Sequence, residues 1–188
     1  MAFTLVVDTG PTHDGRKKHF YTPVPSLDYP VGVGKKNARD DVMLVQVWLG
    51  NIATYQLSFK ADTAFMKTFA GQDFADRKIK VDGMFSDETR LLLHAVASKV
   101  LHRTDSVVYP LIRGSNLGSW SSTTLGSNLM NESATACAVM DTNAPYIGRG
   151  GVQCAFTPCP QLLRAALLHE RRHYAEKWKS QEPGYIDI

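Results

Sequence analysis

The sequence predicts an α+β protein that is mainly α, and three observations carry that reading. Apolar residues recur at helical spacing through 39–51, where Val42, Val45 and Leu49 form one stripe with Trp48 beside them. A second stripe of Thr89, Leu92, Leu93 and Val96 follows about forty residues later and faces the first. The strand signals are short and gather near the N-terminus, at 3–7 and 18–24, separated by the turn formers Thr9-Gly10-Pro11 and Asp14-Gly15.

Taken in order, 1–34 reads as a β-rich lead segment whose Pro23, Pro25 and Pro30 end it in an extended connection. Helices are expected near 39–51, 61–70 and 87–102. Between the last two, Val81-Asp82-Gly83 is a turn in which Gly83 supplies a positive φ and Ser86 or Asp87 caps the next helix. Residues 106–112 form a further strand candidate. From 114 to 131 the composition turns to Gly, Ser, Asn and Thr, that of a linker, anchored only by Trp120 and a few Leu. The expected organisation is therefore 1–34, 35–103 and 104–188. The last part ends in a long helix from Pro160 at its first position to about Ser180, with Leu163, Leu167, Tyr174 and Trp178 as its buried stripe.

Composition narrows the function only slightly. The 188 residues are 44% hydrophobic and 10% aromatic, enough for a core, and 21 basic against 18 acidic residues leave a net charge of +3 that argues for no nucleic-acid partner. No run approaches the ~20 apolar residues of a membrane-spanning helix. Asp8 interrupts the N-terminal apolar run before a signal-peptide core could form, so a Sec signal is not expected. Cys137, Cys154 and Cys159 make an odd count, read as reduced thiols.

The pair of segments Asp41-Val42-Met43-Leu44-Val45-Gln46-Val47-Trp48-Leu49 and Val81-Asp82-Gly83-Met84-Phe85-Ser86-Asp87-Glu88-Thr89 resembles the peptidoglycan-binding-like domain family over residues 35–101. The resemblance implies a three-helix module, here with a helical insertion, and a ligand contact at Asp82, Gly83 and Phe85. Its implied partner is peptidoglycan, or a protein that docks to the same fold. The chain departs from the family where 51–80 replaces a short loop, where Ser86 stands in place of an expected Gly, and where the closing aromatic-Gln pair is missing.

The sharpest chemical motif is His169-Glu170-Arg171-Arg172-His173. On the expected helix, residues four apart share a face, so His169 and His173 could offer two ring nitrogens to one zinc with Glu170 as general base. This resembles the HExxH motif of zincin metallopeptidases and implies a zinc-dependent peptidase or amidase. Arg171 and Arg172 occupy positions that are usually uncharged in that family. Glu176 shares the face but lies ~10 Å along the axis from His169, too far to share a zinc, which leaves Glu182 or Asp187 beyond the Pro183-Gly184 turn, or a residue of the first module, as third ligand. A Cys154, Cys159, His169, His173 zinc site does not fit the same helix, because Cys159 would lie ~15 Å along the axis from His169. Tyr146 to Gln153 also resembles the Gly-Arg-Gly segment of lysozyme-like chitinases and endolysins, but reads more simply as a Gly-rich turn before a strand at 152–156.

Two functions follow as expectations. One is a bacterial or phage cell-envelope-directed protein that binds peptidoglycan, either as a binder alone or as a zinc-dependent wall hydrolase or injected effector. The other is a non-catalytic adaptor or structural component of a secretion or injection machine. Either is made in the cytoplasm, and a wall-directed protein would reach the periplasm or envelope by a non-Sec route.

Overall fold

Helix α1 (Arg39–Ser58) is the element on which the rest is assembled, and 14 of its 20 residues are buried. The computed structural model describes residues 2–11, 19–58, 60, 80–110, 124–140, 159–173 and 185–187. Of these, 5–11, 19–23, 170–173 and 185–187 are described as backbone only. The run from Asp41 to Ala53 is buried without a break, so α1 has no solvent face over that stretch. A helix of this kind must be covered on all sides. Its cover comes from α2 (Asp87–Ala95), a π-helical turn (Val96–Val100), α3 (Leu125–Met140), α4 (Gln161–Ala166), and the Ala2, Phe3 and Val24 side chains. Helical residues outnumber strand residues more than two to one among the described residues.

The expected stripes are the observed core. Val42, Val45, Trp48 and Leu49 are buried in α1, and Thr89, Leu92, Leu93 and Val96 face them. Helix α2 widens into the π turn at Val96, where Leu101 N–H donates to Val96 O at 3.0 Å.

The strands form one sheet in the order β2-β1-β3-β4, from β1 (Phe3–Pro11), β2 (His19–Ser26), β3 (Glu170–His173) and β4 (Tyr185–Asp187). The β1/β2 hairpin is antiparallel, with Phe3 opposite Ser26 and Asp8 opposite Tyr21. β3 then runs parallel to β1, with Thr4 opposite Glu170 and Val7 opposite His173. Pro23 and Pro25 lie on edge strand β2, where a residue without an N–H is tolerated if that side faces away from the ladder. The first and last segments of the chain thus share a sheet, and one continuous core runs from Ala2 through α1 and α2 to Leu163. That core crosses the expected boundaries at 34 and 103.

Three expectations need correction. The linker composition at 114–131 conceals the start of α3: Thr124 caps it by accepting from Ser127 N–H at 3.2 Å. Leu125 and Leu129 are buried in the core, while the small residues Gly126, Ser127 and Ser133 are buried along the same helix. The helix expected over 160–180 closes at Ala166. Its last turn tightens, with Leu168 N–H donating to Ala165 O and His169 N–H to Ala166 O. Thr4 then captures the outgoing chain: its N–H donates to His169 O at 2.8 Å and its Oγ1 to Leu167 O at 2.7 Å. Strand pairing with β1 overrides the helical pattern at 170–173. Finally, α1 continues to Ser58, beyond the expected end at 51. Of the strand expected at 106–112, the described part holds only the bridge between Val31 and Val108. The helix expected at 61–70, the Gly-Arg-Gly segment, Trp120, Trp178, Cys154, Glu176 and Glu182 lie outside the described residues.

Candidate binding surface at the 81–86 turn

The turn that joins the two halves of the expected module is built around Gln46. This side chain is 2% exposed, so each of its polar atoms needs a partner. Oε1 accepts from Gly83 N–H at 2.9 Å, which fixes the amide orientation. The two hydrogens on Nε2 serve three acceptors: Asp82 Oδ1 at 3.0 Å, Met84 O at 3.1 Å and Thr89 Oγ1 at 3.1 Å.

Gly83 is buried at φ +77, and a Cβ there would lie 2.5 Å from both Cγ and the carbonyl oxygen of Arg39. The left-handed backbone and the close approach to α1 both require glycine. Asp82 closes the turn, its Oδ1 accepting from Met84 N–H at 2.9 Å. Burial acts to raise the Asp82 carboxyl, but the hydrogen bonds from Met84 N–H and Gln46 outweigh it and hold the group below the usual carboxylate range. Ser86 caps α2, accepting from Thr89 N–H at 3.2 Å. Serine at this position thus takes a defined role where the family pattern has glycine.

The structure brings the three expected binding residues into one turn but divides their roles. Gly83 is buried and Phe85 packs on the core, so both shape the turn from within. Asp82 is half-buried, and the face left to solvent is Lys80, Met84 (63% exposed), Ser86 and Asp87. The organising residue, Gln46, was not singled out from the sequence. Its signal was available: one amide inside the apolar run from Val42 to Leu49 must find buried partners. Asp41 was also missed as a brace. Wholly buried, it accepts from the N–H groups of Asp28 and Tyr29, each at 3.0 Å, and holds the connection from β2 against α1. Burial pushes its carboxyl up to about 6, against the effect of those two donors.

His169 is exposed, and the backbone of 170–173 is strand. In an extended chain, Cα atoms four residues apart lie ~13 Å apart, compared with ~6 Å along one turn of helix. The shared helical face that a single zinc would need from His169 and His173, with Glu170 beside them, is not the geometry of this segment. Asp187, a third-ligand candidate, lies on β4 opposite Arg171. Among the described residues no group of three or more His, Cys, Asp and Glu side chains converges as a metal site would require. Among the described residues, too, no helix is long and apolar enough to cross a membrane. Burial pushes the Cys159 thiol up, against the effect of the nearby Arg164. Comparison with protein-family models, with curated proteins and with solved structures finds no match to this chain.

Proposed function

We propose that this is a cell-envelope-directed binding protein that docks to peptidoglycan through the solvent face of the 81–86 turn and the start of α2. The observation that carries the reading is the Gln46-centred lock, with Gly83 N–H on Gln46 Oε1 at 2.9 Å and three acceptors on its Nε2. It joins the two segments that resemble the peptidoglycan-binding-like family and holds Asp82 and Met84 at the surface of a fixed turn. A preformed turn of this kind lowers the ordering cost of binding. The reading is one of binding rather than hydrolysis, because it draws on residues of the turn and none of 169–173. It places the site of action at the cell envelope.

Sedimentation with purified sacculi tests it. The protein is expected to pellet in proportion to sacculus concentration, and Met84→Asp, which changes only an exposed side chain, is expected to reduce the pelleted fraction. Wild type that stays in the supernatant at sacculus excess overturns the reading and leaves the same turn as a protein-docking element of a secretion or injection machine.

A further inference from the structure

The loop that leads into α1 is exposed, yet its backbone is tightly specified. A bridge between Val31 and Val108 anchors its base, with N–H to O distances of 2.9 and 2.8 Å. Gly32 lies against the chain at 106–107, where a Cβ would meet Ser106 O and a Val107 methyl at 3.0 Å. Gly34 at φ +69 and Asn37 at φ +50 complete the turn. Asn37 locks it from both sides, Oδ1 accepting from Gly32 N–H at 2.8 Å and Nδ2 donating to Gly32 O at 2.9 Å. None of the packing seen around this loop accounts for what it displays, which is Val33, Lys35 and Lys36, all exposed.

Both lysines are steered by aromatic rings. Lys36 Nζ lies 3.1 Å from the centroid of the Tyr29 ring, and Lys35 Nζ lies 5.7 Å from that of Tyr109. The two rings are themselves 37% and 45% exposed. An ammonium over a ring loses the freedom of its long stem but keeps outward N–H donors, so an anion meets a partly prepaid site. Asp40 and Asp41, which follow the loop in sequence, are already engaged: Asp40 accepts from Ala2 N–H, and Asp41 from the N–H groups of Asp28 and Tyr29. Among the described residues, no carboxylate forms an ion pair with either lysine. The surface adjoins the 81–86 turn, because Gly83 abuts Arg39, two residues beyond Asn37.

We infer that Lys35 and Lys36, held by Tyr109 and Tyr29, read the free carboxylates of peptidoglycan stem peptides. The inference rests on the wall-binding reading and assigns it a chemistry. Stem peptides present carboxylates repeatedly along a strand, which matches a pair of adjacent ammonium donors with aromatic flanks, and each contact is a charge-assisted hydrogen bond.

The test uses the full chain and sacculi free of phosphate-bearing polymers, either native or with their carboxylates capped as neutral amides. For native sacculi, Lys35→Gln/Lys36→Gln is expected to weaken binding about tenfold, equivalent to about 1.4 kcal/mol. Tyr29→Ala is expected to weaken it several-fold while leaving the thermal unfolding profile of the protein in place. Capping the carboxylates is expected to weaken wild type as much as the double substitution does, and to add nothing to the double variant. If wild type binds both kinds of sacculi equally and the double variant binds like wild type, this inference falls while the wall-binding reading stands. If the double variant is impaired but capping has no effect, the lysines read some other anion and the carboxylate assignment is wrong. If wild type binds neither, the wall-binding reading itself fails.

Discussion

Gln46, on the second turn of α1, accepts the buried N–H of Gly83 at 2.9 Å across 37 positions of sequence. Two segments that are each too short to bury an apolar face alone become one unit through this bond and the three that leave Nε2.

Replacing Gln46 with Leu is expected to destabilise the protein by about 3 kcal/mol. The change strands the Gly83 N–H in the interior and removes the amide donor from Asp82, Met84 O and Thr89, and a buried unsatisfied group costs about 1–3 kcal/mol by itself. Urea unfolding should show a lower midpoint with an unchanged slope. A midpoint within error of wild type would mean that the lock holds nothing.

Gly83→Ala and Gly34→Ala separate two costs that positive φ usually mixes. Both residues are left-handed, at +77 and +69, but Gly34 has open space around it whereas a Cβ at Gly83 would meet the Arg39 carbonyl. Gly34→Ala should cost about 1 kcal/mol, the backbone term alone. Gly83→Ala should cost at least about 2 kcal/mol more, since a carbonyl in α1 cannot move aside. Equal losses in paired denaturant titrations would remove the steric argument.

How much of this was legible in the sequence depends on how local the cause is. The α1 stripe, the Ser86 cap and the left-handed Gly83 follow from spacing and residue type alone, and they stand where expected. The run from Thr124 to Asn131 read as linker because its Gly and Ser residues are weak helix formers, yet Leu125 and Leu129 and the Thr124 cap commit it to α3 once α1 is there to pack on. The 170–173 segment is the opposite case. Its helical periodicity was genuine, and the deciding interactions, Thr4 with Leu167 O and His169 O, join residues more than 160 positions apart. No window of sequence contains both partners. At the candidate site, Asp82, Gly83 and Phe85 were legible as a turn, but their division into inward and outward residues came only with Gln46.

Asp41 gives the fold a pH dependence of unusual sign. Burial pushes its carboxyl up to about 6, above the ordinary value of 3.8, so the folded chain holds a proton that the unfolded chain releases. Its contribution therefore favours the native state below about pH 4 and is lost as pH rises through about 6, by about 3 kcal/mol in total. Asp82 and Asp105, both held below the usual range, act in the opposite direction at lower pH. Subtracting the stability of Asp41→Asn from that of wild type at each pH between 4 and 8 isolates the residue. The difference should shrink as pH rises. Asparagine cannot present two acceptor oxygens to the Asp28 and Tyr29 N–H groups, so the variant should also be weaker at acid pH. A flat difference would show that the buried carboxyl does not titrate in this range.

Residues 170–173 run as strand β3, whereas a zinc site on one helical turn would need a different backbone there. Because β3 lies between β1 and β4, a chain that bound zinc through His169 and His173 on one helical turn would have to unzip from both neighbours. That rearrangement would also release Thr4 from the carbonyls of Leu167 and His169. The protein purified without a His tag or chelator is accordingly expected to carry well under one zinc per chain, and His169→Ala should carry the same amount. Chelator should leave the melting temperature unchanged. Near-stoichiometric zinc that disappears in His169→Ala, together with a melting temperature that falls on chelation, would mean that 169–173 forms a helix in the metal-bound protein, and peptide- or amide-bond cleavage with Glu170→Ala as control would become the next experiment.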